Sequence, residues 1–351
     1  MPICLYGALS MMKISGYTTT RNCINMKYPF RESIECLLKF CDEVVVADSS
    51  DGSDATLKIL TDMMDEYENL NVVHVDVDYS VPNFGIWDGK MKAIARENCT
   101  GDFLFQSDVD EFHLFERTQI EEVIKNTILG NNLQYLVALP VVEFWGSEKK
   151  VRIDVNSWKW RVSKNDPNIT HGAPKHLRQE INGLQYFKPG TDGCDYIFKD
   201  SGLNVNCLHF ITEESEITRL QALKGDFAAR KKYEKWFNNI IKELPTTYHF
   251  SWFNIENKIK QYQKFWNKFW ISLYGEQYDR PKGWNPFFEE DITKVSDEQI
   301  LICSKALSYL TGGHIFHTKW DFRHTPWIEL EEDNKISKSA VDMYNMFLNN
   351  K

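Results

Sequence analysis

The sequence has no Cys-x-x-Cys pair, no internal repeat, no low-complexity segment and no apolar run long enough to cross a bilayer. Each absence excludes something. The eight cysteines, at positions 4, 23, 36, 41, 99, 194, 207 and 303, offer neither a zinc ribbon nor a thioredoxin-like redox pair. Scattered through a chain of 351 residues, they read as small buried hydrophobes in a reducing compartment. The longest mostly apolar run, Leu133 to Trp145, is broken by Gln134, Pro140 and Glu143, and falls short of the about 20 residues a spanning helix needs. No basic residue precedes Lys13, so the N-terminal stretch fits a signal peptide poorly and a cytoplasmic location is expected. Positive charge is also scarce, with 41 Lys and Arg against 50 Asp and Glu and a net charge of -9. A nucleic-acid partner calls for a basic face to neutralise phosphates, so none is expected.

What is present is apolar and aromatic residue, 42% and 14% of the chain, enough to bury one large core or two smaller ones. The first half alternates strand and helix patterns. Ile14 to Thr20 is a β-rich run, and Phe30, Ile34, Leu37, Leu38 and Cys41 share one helical face after Pro29. Val44 to Ala47 reads as a buried strand. A helix capped by Asp54 is predicted next, with Leu57, Leu60, Met64 and Tyr67 inward. Val73, Val75 and Val77 alternate within Asn71 to Asp78, Lys90 to Asn98 is helical, and Phe103 to Phe105 is another strand. Thr118 and Glu121 form a capping box for a helix to Leu129, and Gln134 to Val142 is a strand. Alternation of this kind predicts an α/β fold with a mostly parallel sheet flanked by helices, whose ligands gather beyond the carboxyl ends of the strands. Two acidic loops, Asp48 to Asp54 and Asp108 to Glu111, fall on that edge.

The segment from Gly101 to Phe112 carries the sharpest signal. An apolar strand runs into Asp108-Val109-Asp110-Glu111, and period-two alternation points Asp108 and Asp110 the same way. Two convergent carboxylates make a hard-oxygen site for Mn²⁺ or Mg²⁺ that also accepts diphosphate oxygens. The alternative is that the acidic residues end a strand and cap the next helix.

Residues 14 to 112 resemble the nucleotide-sugar-binding half of the GT-A glycosyltransferases, family-2-like members in particular. The matching pieces are Thr18-Thr19-Thr20-Arg21-Asn22, Asp42 to Asp48, the Asp51-Gly52-Ser53-Asp54 turn and the Asp-x-Asp block. The resemblance implies a Rossmann-like core in which Thr20, Arg21, Asp48 and the turn from Asp51 contact the base and ribose. It implies further that Asp108 approaches the ribose or the metal and that Asp110 ligates the metal. Lys90 and Lys92 stand where such proteins place a basic residue toward the diphosphate. One departure is that Ala47 and a single Asp48 stand where the family carries two adjacent carboxylates.

From Glu143 to His209 the chain is rich in Trp, Gly, Pro, His and Arg with weak periodicity, as suits a loop-rich acceptor region. His171 to Arg178 and Gly193 to Tyr196 resemble segments of some bacterial and viral glycosyltransferases. That places His171, Lys175 and Arg178 near phosphates or sugar and makes Asp192 or Asp195 the candidate base, with Glu143, Asp154 and Glu180 as competing carboxylates. GT-A proteins also recruit a downstream histidine to the metal, and His209 and His249 are the two candidates; a structural histidine is the plainer alternative for each. The histidines at 314, 317 and 324, with Trp320 and Trp327, read as packing. Trp145, Trp158 and Trp160 are candidate acceptor platforms against the alternative of core filling. A basic, aromatic, amphipathic helix from Ser251 to Tyr274 packs on the body or makes peripheral membrane contact.

These expectations combine into a metal-dependent transfer of a hexose from a nucleotide diphosphate sugar, UDP-linked, to a hydroxyl of a glycan or glycoconjugate. The divisions expected are a core over 1-142, an acceptor and catalytic region over 143-250, and C-terminal helices over 251-351. The rivals are a catalytically inactive carbohydrate-binding or scaffold protein and a sugar-phosphate nucleotidyltransferase, whose Gly-rich triphosphate loop the chain lacks.

Overall fold

The computed structural model describes residues 12–77, 86–130, 134–181, 184–187, 192–261, 296–302, 327–331 and 334–349. The first elements alternate: β1 (Ile14–Thr20), α1 (Cys23–Met26), α2 (Phe30–Leu38), β2 (Glu43–Asp48), α3 (Thr56–Glu66), β3 (Leu70–His74), α4 (Trp87–Glu97) and β4 (Phe103–Gln106). They are succeeded by β5 (Glu111–His113), α5 (Arg117–Ile124) and β6 (Leu136–Glu143). The stretch after Glu143 is built of short strands joined by loops: β7 (Lys150–Arg152), β8 (Trp158–Lys164), β9 (Ile169–Gly172), β10 (Arg178–Ile181), β11 (Leu184–Phe187), β12 (Asp195–Phe198) and β13 (Cys207–Leu208). Then come α6 (Glu213–Leu223), α7 (Phe227–Glu243), β14 (Thr247–His249), α8 (Ile255–Gln261), β15 (Trp327–Glu329) and α9 (Lys335–Asn349).

The main sheet has the order β3-β2-β1-β4-β8-β6-β14-β5, with β13 beside β6. Its first four strands are parallel, while β8 runs antiparallel to both β4 and β6. This is the α/β class expected, and the acidic loops after β2 and β4 do share one edge. Period-two alternation explains the layers. Val44 and Val46 face one core with Phe30, Ile34 and Leu37 of α2, Leu60 and Met63 of α3, and Ile120 and Ile124 of α5. Val45 and Ala47 point the other way, onto Met91 and Ala95 of α4 together with Tyr17. A third apolar cluster joins α7, β14, β15 and α9 through Tyr233, Phe237, Tyr248, Ile328 and Tyr344.

Several local expectations change. The inward stripe of α3 is Thr56, Leu60 and Met63, with Leu57 only half-buried, because the helix starts at Thr56 and Asp54 instead accepts from the Thr56 and Asn25 backbone N–H groups. The α5 cap is Glu116 with Gln119, whose side chain accepts from the Glu116 N–H at 2.9 Å, because the helix begins at Arg117 and leaves Thr118 inside its first turn. A π-helical turn, Lys125–Leu129, finishes that helix. Of the segment Ser251 to Tyr274, residues 251–261 are described, with the helix α8 starting only at Ile255; the rest, and the histidines at 314, 317 and 324, lie outside the described residues. Among the described residues no helix is long and apolar enough to cross a membrane.

Candidate active site

β4 stops at Gln106, and Asp108 to Asp110 lie in the turn before β5. Strand alternation therefore does not orient the two aspartates, and they reach different partners. The Asp108 carboxylate takes Lys92 Nζ at 3.0 Å from α4 and Lys159 Nζ at 3.0 Å from β8. Gln106 Nε2 donates to it at 3.0 Å. Burial alone would push its carboxyl up, but Lys92, Lys159 and Arg161 outweigh that and hold it well below the ordinary carboxylate range. Glu111, fully buried, accepts from Lys159 at 2.7 Å and pairs with Arg161, and its other oxygen accepts from the Asp108 N–H at 2.9 Å. This lattice of two carboxylates and three cations fixes the turn.

Asp110 turns to β14. Its Oδ1 lies 3.1 Å from His249 Nε2, and the ring's Nδ1 is bonded to Glu143. Burial would lower the imidazole pKa, yet Glu143 and Asp110 more than offset it and raise it to about 9. Asp110 falls to about 2, burial being outweighed by His249. Lys258 of α8, buried, is drawn down to about 8 by desolvation. His209 stands elsewhere, exposed, its ring 4.3 Å from Trp158.

Beyond Asp108 opens a cavity of about 300 Å³, lined by Asp88, Lys92, Gln106, Asp108, Lys159, Trp160, His171, Asp192, Cys194 and Tyr196. That is the low end of the range for small-ligand clefts. Asp192 enters it from the turn before β12. Burial pushes its carboxyl up, with Asp88 adding to the effect, while the Cys194 N–H donates to Oδ1 at 2.9 Å. Asp195 is half-buried and is not among the cavity residues. His171 forms part of the wall with both nitrogens engaged. Its Nδ1–H donates to the Cys194 carbonyl at 2.9 Å, and Nε2 accepts from Tyr17 at 2.7 Å. Desolvation holds this imidazole at about 3, hence neutral.

The other sequence candidates divide between the cavity and its surroundings. Asp48 is fully buried, and both oxygens are engaged within the chain, by Thr20, by Ser50 and by His74 at 2.8 Å. Arg21 and Asp51 face each other at 3.9 Å. Lys90 projects outward over the Trp87 ring, whereas Lys92, two residues on, turns into the cavity. Lys175 and Arg178 are exposed and outside the cavity lining. Trp145 is fully buried against Trp252, so it fills the core and presents no platform, while Trp160 lines the cavity. Asp154 is taken up by the buried Arg152 at 3.0 and 2.9 Å. Sequence reasoning missed Lys159 and Arg161. The stretch from Glu143 to His209 read as loop-rich, so neither the strand β8 nor its place in the sheet beside β4 was expected.

Among the described residues no group of three or more His, Cys, Asp and Glu side chains is arranged to enclose a metal ion. Asp110 and His249 face each other directly, at 3.1 Å. His249, with Nδ1 fixed by a carboxylate, presents Nε2 toward Asp110, the second-sphere arrangement usual for metal-ligating imidazoles.

No protein-family model matches the sequence, and no curated protein matches it. Solved structures do. S. aureus TarS is similar at 17% identity and a TM-score of 0.35, over 72% of this chain and 46% of that one, so the chain spans about half of its length. The mannosyltransferase PcManGT from Pyrobaculum calidifontis, in complex with GDP-Man and Mn²⁺, is similar at 13% identity and a TM-score of 0.31, over 44% of each chain. Glucosyl-3-phosphoglycerate synthase from Mycobacterium tuberculosis, with Mn²⁺, UDP and glucosyl-3-phosphoglycerate, is similar at 13% identity and a TM-score of 0.28, over 44% of this chain and 57% of that one.

Proposed function

We propose that this protein is a GT-A-type glycosyltransferase that moves a hexose from a nucleotide diphosphate sugar, UDP-linked in our reading, to a hydroxyl of a glycan or glycoconjugate. The observation that carries this is one cavity, at the carboxyl end of β4, lined by Asp108, two lysines and the further carboxylates Asp88 and Asp192. Such a layout suits a reaction in which negative charge leaves on one side while a proton is taken on the other.

The roles divide by position. Lys92 and Lys159 stand where the departing diphosphate needs positive charge, and both are held ready by Asp108. Asp192, its pKa raised by burial, is a stronger base than an ordinary carboxylate and takes the proton of the acceptor hydroxyl. Trp160 and Tyr196 supply aromatic wall for the sugar's apolar face. Asp110 and His249 would hold a divalent ion, Mn²⁺ or Mg²⁺, whose remaining ligands come from diphosphate and water. When bound, that ion supplies Lewis-acid stabilisation of the leaving diphosphate.

The test is a nucleotide-sugar hydrolysis screen with Mn²⁺, since slow transfer to water exposes the donor without the acceptor. Turnover of a UDP-hexose that stops with EDTA is expected. No turnover of any nucleotide sugar, together with no UDP binding by calorimetry, would overturn the proposal.

A further inference from the structure

Gly89 sits in the first turn of α4, and glycine inside a helix costs about 1 kcal/mol relative to alanine. The reason for it here is a backbone contact. A Cβ built on Gly89 would lie 1.9 Å from the Gly193 carbonyl oxygen and 2.2 Å from its carbon. Gly193 has φ of 73°, in the left-handed region that glycine alone occupies freely. The Gly89 N–H also points to the Asp192 carbonyl, at 3.3 Å. Two glycines thus let the start of α4 and the turn before β12 meet backbone to backbone.

The same turn is gripped from two further sides. Cys194 Sγ lies 3.0 Å from Asp88 Oδ2, the neighbour of Gly89. His171 donates from Nδ1 to the Cys194 carbonyl at 2.9 Å. The imidazole is locked in turn by Tyr17, whose hydroxyl lies 2.7 Å from Nε2 and 2.7 Å from the Tyr196 hydroxyl. At the centre of these contacts the Cys194 N–H holds Asp192 Oδ1.

We propose that Gly89 and His171 are positioning residues that set the Asp192 carboxylate in the cavity, His171 through ring nitrogens that are both engaged within the chain. This rests on Asp192 being the acceptor-side base. A methyl group at Gly89 forces the Asp192 turn back by about 1 Å, since real Cβ contacts stay at or beyond 3.0 Å. Displacement of a catalytic group by that distance costs on the order of 100-fold in rate. Asp108 does not ride on that turn; Lys92, three residues past Gly89 in α4 and 3.5 Å from Asp88, is followed separately through UDP affinity.

The experiment is a double-mutant cycle on the full chain. It reads kcat and KM for UDP-glucose, or for whichever screened donor turns over, together with UDP affinity and melting temperature. Gly89→Ala is expected to lower kcat 30- to 100-fold, with KM and UDP affinity within threefold. Gly89→Ala/Asp192→Asn should be no slower than Asp192→Asn alone, because the glycine acts only through the aspartate. His171→Phe should match Gly89→Ala, and His171→Asn, which keeps an N–H where Nδ1 stands, should recover most of the rate. The histidine pair decides the matter if Gly89→Ala does not fold. Wild-type kcat in Gly89→Ala, or losses that multiply in the double variant, would overturn the positioning role while an inactive Asp192→Asn leaves the base assignment standing. A fully active Asp192→Asn that still binds UDP would instead remove the base assignment and the clamp with it.

Discussion

His249 Nε2 and Asp110 Oδ1 stand 3.1 Å apart, although 139 residues separate them along the chain. The pairing is made by the sheet. β14 inserts between β5 and β6, which sets His249 opposite Glu111 on one side and Glu143 on the other. The Phe250 N–H then donates to the Asp110 carbonyl at 2.9 Å and fixes the turn from the far end. Under the proposed function, this imidazole, held by one carboxylate and facing another, would give up its proton to take a metal.

His249→Ala is therefore expected to raise the Mn²⁺ concentration for half-maximal turnover about tenfold, equivalent to about 1.4 kcal/mol. Glu143→Gln should shift it in the same direction, by loosening the ring. His209→Ala should leave the curve in place, since that ring rests on Trp158. Activity titrated against Mn²⁺ for the three variants decides it; superimposable curves would take the metal off His249.

Asp110→Asn keeps the shape of the side chain and removes its charge. Turnover should fall at least 100-fold, about 3 kcal/mol of barrier, while circular dichroism shows the native fold. A variant that melts early yet retains turnover would instead mark Asp110 as a structural partner of His249.

Lys92 and Lys90 separate binding from surface. Lys92→Met removes a cation from the cavity wall and should weaken UDP affinity about tenfold by calorimetry. Lys90→Met removes one from the outer face of the same helix, over Trp87, and should change affinity less than twofold. The reverse ranking would place the diphosphate outside this cavity.

The first four strands and the helices between them were legible because each carries its own periodicity, and the Asp-x-Asp turn because three carboxylates after an apolar strand are conspicuous. The rest of the site depends on pairings that no local pattern records. Lys159 reaches Asp108 only because β8 lies antiparallel to β4. Glu143 was visible as a carboxylate but not as the partner of His249, which the insertion of β14 decides. The two histidine candidates could not be ranked from spacing, since long-range register is set by the packed sheet and not by the residues around each ring. Gly89 lies before the helix read over Lys90 to Asn98 and was not singled out, because the reason for it is a segment more than a hundred residues later.

His171 gives the protein a pH-dependent stability with a definite sign. Unfolded, its imidazole titrates near 6.5; folded, desolvation lowers it to about 3. Below pH 6.5 the unfolded chain therefore binds a proton that the folded chain refuses. The stability this neutral histidine confers is fully present above about pH 6.5 and is lost as pH falls toward 3, by up to about 1.4 kcal/mol per unit. Between pH 6.5 and about 4.5 the loss amounts to about 2 to 3 kcal/mol. His171→Asn has nothing to titrate there, so its melting temperature should fall less steeply with acid than the wild type's. Parallel slopes would show that the ring is charged or exposed.

Asp192 and Asp195 are three residues apart and both have carboxyls pushed up by burial, so the pKa direction alone does not choose between them. Position does. Asp192 lines the cavity that contains Asp108 and Lys92, and one of its oxygens is pinned by the Cys194 N–H. Asp195 sits in β12 opposite Gly172 of β9 and is not part of that lining. A base must be within hydrogen-bond reach of the hydroxyl it deprotonates, and only the first aspartate meets that condition for a sugar held in the cavity. Asp192→Asn should therefore lower kcat by at least 100-fold with UDP affinity unchanged, and Asp195→Asn by less than tenfold. The pH profile adds a second readout. With Asp192 as the base, kcat rises along an acid limb whose midpoint lies above the ordinary carboxylate value of 3.8. That limb should persist in Asp195→Asn and be lost from the residual activity of Asp192→Asn. If the limb disappears with Asp195 instead, the acceptor approaches from the far side of β12, and the cavity wall formed by Asp192 serves the donor sugar rather than the proton transfer.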